Sequence, residues 1–76
     1  MSKPTSLRSR IEQEVSAITG ARIKFNRNLA YLSLGKAAAR VYVPEKPKKV
    51  DVPSAIGRVR RALGMMVEAE VGRMAA

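Results

Sequence analysis

The apolar residues of this chain change period twice, and no other feature constrains its fold as much. Leu7, Ile11, Val15 and Ile18 recur at spacings of four, four and three, as the buried stripe of a helix does. From Arg22 the pattern becomes twofold, with Arg22, Ile23, Lys24 and Phe25 alternating polar and apolar like a half-buried strand. Past Pro53 the helical spacing returns in Ile56, Val59, Leu63, Met66, Val67, Val71 and Met74. Helix, strands, helix in that order predicts an α+β fold. An N-terminal helix and a C-terminal helix pack against one face of a small antiparallel sheet of two to three strands.

Local chemistry places the boundaries. Thr5 or Ser6 can accept an orphan backbone N–H and cap the first helix, and Gly20 suits the left-handed residue that closes it, so its end is expected at about Thr19. Arg8, Arg10, Glu12 and Glu14 lie mostly off the apolar stripe and read as solvated charge. Asn26, Arg27 and Asn28 carry turn chemistry, with asparagine the residue best able to adopt left-handed angles. A second strand follows over 29–34, a tight Gly35-Lys36 turn, and a third strand over 38–43 rich in β-branched and aromatic residues. Residues 44–52 form a basic loop punctuated by proline. Asp51, Val52, Pro53 and Ser54 then make a helix start, and the second helix is expected over 54–73. Gly57 and Gly64 each weaken it by roughly 1 kcal/mol relative to alanine, and a kink or a close helix crossing is expected at Gly64. Residues 1–5 are expected to be a disordered start, and 6–75 a single α-β-β-β-α domain.

At 76 residues the chain has room for one domain. A domain of this size buries only about 60% of the surface its unfolded chain exposes. With no cysteine and no histidine, disulfides and the usual metal ligands cannot supplement the core. Self-association as a homodimer is the expected supplement. The same absences remove the residues most used in acid-base and nucleophilic catalysis. Glu12 with Glu14, and Glu68 with Glu70, are two apart on helices and point away from each other, so neither makes a carboxylate pair. No enzyme activity, cofactor or metal is expected. No stretch approaches the roughly 20 apolar residues of a membrane span, and the start lacks the apolar core of a secretory signal. The expected location is cytoplasmic.

Charge points to the partner. Residues 22–61 hold eleven of the 15 basic residues and only two of the 6 acidic ones, so the whole net charge of +9 sits in the middle of the chain. A concentrated field of this kind collects phosphates and steers association. If Ile23, Phe25, Ala30, Leu32, Leu34, Val41 and Val43 face the helices, strand alternation puts Arg22, Lys24, Tyr31, Ser33, Arg40 and Tyr42 on the opposite face. Guanidinium and ammonium groups there can neutralise phosphates while the tyrosines stack on bases.

Arg58, Arg60 and Arg61 lie in the N-terminal half of the second helix, where anions are favoured. Lys46, Lys48 and Lys49 form a basic arm, and Arg27 and Lys36 occupy the two turns. The expected site for nucleic acid is therefore Arg22, Lys24, Arg27, Tyr31, Lys36, Arg40, Tyr42, Lys46, Lys48, Lys49, Arg58, Arg60 and Arg61. Met65, Met66, Val71 and Met74 are expected to form a dimer or partner-helix surface, because methionine-rich helix ends adapt to partners. Glu68 and Glu70 oppose the helix dipole, a cost that an arginine of a partner could offset.

The element order is similar to that of double-stranded RNA-binding domains in topology, but the lysine pair that marks those domains at the second helix is absent. The expected function is that of a small, non-catalytic DNA- or RNA-binding accessory or regulatory protein. Two alternatives stand beside it. One is an adaptor or inhibitor docking on an acidic protein, the other a ribosome- or virion-associated structural protein.

Overall fold

The computed structural model describes residues 6–75, so the expected disordered start at 1–5 lies outside the described residues. Helix α1 covers Leu7–Ser16. Ser6 caps it in an extended conformation, its hydroxyl accepting the Ser9 N–H at 3.1 Å. The helix stops three residues before the expected end. Ile18 N–H donates to Val15 C=O at 3.0 Å and Ala21 N–H to Ile18 C=O at 3.2 Å, which tightens the chain into successive turns. Gly20, at φ 86°, therefore redirects the chain into the sheet and does not itself close the helix.

Strands β1 (Ala21–Asn26), β2 (Leu29–Leu34) and β3 (Ala37–Tyr42) form an antiparallel sheet in that order. Both turns have two residues, since Asn26 pairs with Leu29 and Leu34 with Ala37. Such hairpin turns need positive φ at their first position. In the second turn Gly35 supplies it at φ 60°. In the first the position falls to Arg27, at φ 54°, and not to an asparagine. Asn28 instead ties down the chain leaving β3. Its C=O accepts Val43 N–H at 2.8 Å and its Oδ1 accepts Glu45 N–H at 3.0 Å.

Helix α2 covers Asp51–Ala75, starting three residues earlier than expected. Asp51 accounts for the early start, because its Oδ2 accepts Lys48 N–H and its own N–H donates to Lys48 C=O, both at 2.9 Å. Helices α1 and α2 cover the same face of the sheet, α1 against β1 and α2 against β3 and β2, and they also meet each other. The core between these layers holds Leu7, Ile11, Val15, Ala30, Leu32, Val41, Val43, Ala55, Ile56, Val59, Leu63 and Met66. No close crossing occurs at Gly64, because a Cβ there would meet nothing within 4 Å.

Helix α2 runs antiparallel to β3, with Arg58 beside Tyr42 at one end and Glu70 beside Lys36 and Ala37 at the other. Glu70 Oε1 accepts the backbone N–H groups of Lys36 at 2.7 Å and Ala37 at 2.9 Å, and Arg73 lies 3.6 Å away. Its charge is thus met within the chain, by a hairpin turn 34 positions away and one neighbour, and needs no arginine from a partner. At 25 residues and 1.5 Å per residue the helix is about 37 Å long, far longer than a six-residue strand. Its last turns outrun the sheet, so Val71 and Met74, expected on the buried side, are 59% and 79% exposed.

Two changes check this packing by thermal or urea unfolding. Gly64→Ala should raise stability by about 0.5–1 kcal/mol, because the added methyl is unopposed and helix propensity improves. Glu70→Ala should lower it by about 1–3 kcal/mol, because two charge-assisted hydrogen bonds to the turn are lost.

Candidate nucleic-acid interface

Burial alternates along the strands as the apolar pattern requires, except at the end of β2 where Ser33 and Leu34 are both half-buried, and the face away from the helices carries the expected side chains. The pairing aligns them in rows across the sheet. Lys24, Tyr31 and Arg40 are direct neighbours on β1, β2 and β3, and Arg22, Ser33 and Ala38 form the next row. Directly opposed side chains on one face have Cβ atoms about 5 Å apart. Tyr31 therefore stands between two cations. Arg22, Lys24, Tyr31, Ser33, Ala38 and Arg40 line one shallow concavity whose lining includes no carboxylate. Tyr31 is 40% exposed and Tyr42 52%. Two phenol rings and three cations are thus presented to solvent on one face of the sheet, a set that can meet phosphates and unstacked bases together.

This face turns the corner of the sheet at β3. The Arg58 guanidinium lies 5.7 Å from the centre of the Tyr42 ring, and its Nη1 is 3.4 Å from the Tyr42 C=O. Arg61 follows one turn later on the same side of α2, and both arginines line a groove with β3 residues including Arg40 and Tyr42. Five cations, Arg22, Lys24, Arg40, Arg58 and Arg61, are therefore contiguous from the outer sheet face to α2.

Other expected contributors are placed elsewhere. Arg60 points to the far side of α2, where its Nε donates to Glu14 Oε1 of α1 at 3.0 Å and Nη2 reaches the same oxygen. The hydrogen bond to Glu14, and then its charge, hold the Arg60 guanidinium even more firmly protonated than usual. Arg60 is two positions from Arg58 and one from Arg61, so it leaves the helix on a different side from that pair, and it spans the two helices. Arg27 and Lys36 occupy opposite ends of the sheet in its two turns. Lys46, Lys48 and Lys49 are exposed in the loop before α2 and line neither concavity. Met66 is only 3% exposed and belongs to the core, so of the expected partner surface only Met65, Val71 and Met74 are open to solvent.

Arg8 and Glu14, read from the sequence as solvated, both make structural contacts. The Arg8 guanidinium sits 5.0 Å from the Phe25 ring centre, donates to Arg27 C=O at 2.8 Å and approaches Glu45 at 3.8 Å. It ties α1 to the first turn and to the chain beyond β3. These partners lie 17 or more positions away in sequence, so helical spacing could not reveal them.

No known family model, curated protein or solved structure matches the chain.

The Arg60–Glu14 pair is exposed, so its effect should be small and screened by salt. Arg60→Gln should lower the melting temperature at low ionic strength and change it little in molar salt. The same change at Arg61 should not show this dependence. With Glu14 ionised, the contribution of Arg60 is fully present throughout the neutral range, and on the alkaline side it is lost only as pH rises through the raised pKa of Arg60. The difference between wild type and Arg60→Gln should therefore not vary across the neutral range on account of Arg60.

Proposed function

We propose that the protein is a small, non-catalytic nucleic-acid-binding accessory or regulatory protein acting in the cytoplasm, with the outer face of its sheet as the contact surface. The single observation that carries this reading is the cross-strand row Lys24, Tyr31, Arg40, flanked by Arg22 and Ser33 in a concavity without a lining carboxylate. Cations on this face would neutralise backbone phosphates and release their counterions. The exposed tyrosines would offer platforms for bases, which favours single-stranded or locally opened nucleic acid over a regular duplex. Arg58 and Arg61 extend the cationic path around the β3 edge, so a strand crossing the sheet would leave over α2. Among the described residues no helix is long and apolar enough to cross a membrane.

Titration of labelled duplex DNA, single-stranded DNA and RNA at two salt concentrations tests this reading. Affinity should fall steeply with salt, with a log–log slope of about −2 to −4 on single strands, as expected for three to five phosphate contacts. Arg22→Glu with Lys24→Glu should abolish most of the binding while leaving the fold intact, since both side chains are exposed. Tyr31→Ala should cost about 1–2 kcal/mol on single strands and much less on duplex. Binding to every probe that is salt-insensitive, or indifferent to the paired reversal, would exclude this surface as a nucleic-acid site. A docked acidic protein, the rival reading, would instead give one nuclease-resistant partner sensitive to the same reversal.

A further inference from the structure

Strand β3 ends the sheet, and its outer edge opens onto a groove that adjoins the basic face and shares Arg40 with it. Among the described residues no strand other than β2 pairs with it. In an antiparallel pair, residues whose backbone groups point to the neighbour alternate with residues whose groups point away. Val43 N–H bonds to Asn28 C=O, which sets the phase: Ala37, Ala39 and Val41 turn their backbone groups to β2, and Ala38, Arg40 and Tyr42 turn theirs outward. The position of Arg58 agrees, since its Nη1 reaches the Tyr42 C=O from that side. The N–H and C=O of Ala38 and Arg40 and the N–H of Tyr42 are therefore presented along the edge.

Natural edge strands are commonly blunted by proline, a bulge, inward charge or a covering segment. Here β3 has neither proline nor bulge, and it pairs with β2 without interruption over six residues. Alongside the edge, α2 contributes a small and apolar strip, Gly57, Ala62, Met65 and Ala69, with Met65 66% exposed. The rim carries Arg40, Arg58 and Arg61, with Arg73 beside them but paired to Glu70 at 3.6 Å, and no carboxylate is among the lining residues.

We propose that this groove binds an extended acidic peptide segment of another protein, which adds to the sheet as a fourth strand beside β3. Its backbone takes up the outward groups of Ala38, Arg40 and Tyr42. Side chains on one face of the added strand settle on Ala62, Met65 and Ala69, and carboxylates meet the arginine rim. Main-chain pairing supplies affinity and alternate side chains supply selectivity. A nucleic-acid strand is a poorer occupant, because phosphates cannot donate to the edge carbonyls or use the apolar strip. A second copy of this chain is poorer still. Pairing β3 with its twin would bring together Arg40, Arg58 and Arg61 of each copy, in a protein already at +9.

The test uses the full chain and a fluorescein-labelled ten-residue peptide alternating glutamate and valine. Anisotropy should show binding at micromolar peptide, absent for the same peptide with a central proline or with lysine in place of glutamate. Amide exchange followed by NMR should show the Ala38 and Arg40 amides slowed at least about tenfold by the peptide, while Ala39 and Val41, already paired within the sheet, change little.

Ala38→Pro removes an outward N–H and should abolish binding. Should that variant lose its fold by circular dichroism, Arg58→Glu with Arg61→Glu serves instead and should weaken binding at least about tenfold, the loss expected of two charge-assisted contacts. Arg22→Glu with Lys24→Glu makes the same change in net charge on β1 and should leave the protection of Ala38 and Arg40 in place. Three results would overturn the proposal: no binding at hundred-micromolar peptide, binding without protection of the Ala38 and Arg40 amides, or a dimer in sedimentation whose edge amides are already protected without peptide.

Discussion

A three-stranded sheet this small can hide one face and must leave the other in water, and everything distinctive about this protein follows from that asymmetry. Both helices lie on the same side, α1 over β1 and α2 over β2 and β3. Between them they bury Ala30, Leu32 and Val41 of the sheet, and Val43 just past it, against Ile11, Val15, Ala55, Val59 and Leu63. Side chains alternate along a strand, so a register slip of one residue would carry the apolar set outward and the cations inward. Burying several cations without partners would cost far more than such a domain can offset. Two-residue turns at both ends of β2 leave the register little freedom.

Helix α2 does more than cover the sheet. It is fastened to β3 at both ends, through Arg58 with the Tyr42 ring and carbonyl, and through Glu70 with the turn after β2. A Cβ at Gly35 would lie 2.7 Å from Glu70 Cδ, so a side chain there would push the carboxylate off the turn it binds. Glycine at that position thus meets two demands, positive φ and space for the carboxylate. The antiparallel course of α2 along β3 also lays its Arg58, Arg61 and Arg73 beside the open edge of the sheet. One helix thereby lengthens the cationic outer face and builds the second wall of a groove.

The two surfaces differ in chemistry although they share Ala38, Ala39 and Arg40. The outer face is cationic, with aromatic rings and few exposed backbone groups. The edge groove has an apolar strip and outward main-chain donors and acceptors, with charge at its rim. A protein holding a nucleic-acid strand on one and a peptide on the other would join two partners across a single strand of its sheet.

The division between inner and outer residues of the sheet was legible from the sequence, because a period of two leaves a side chain only two directions. The outward set of Arg22, Lys24, Tyr31 and Arg40 follows from that local rule, and the element order from the two changes of period. Helix ends were less legible. Asp51 reaches back to Lys48 and starts α2 early, and the chain tightens after Ser16 before Gly20 turns it. What only the tertiary structure decided is which charges are spoken for. Arg60 faces Glu14, Arg8 lies on Phe25, and Glu70 receives a distant hairpin, because helix crossing and strand packing bring together groups that spacing along one element cannot relate. Periodicity is a property of the local backbone and can be read along the chain; ion pairing between elements depends on their relative rotation, which is set only when the core closes.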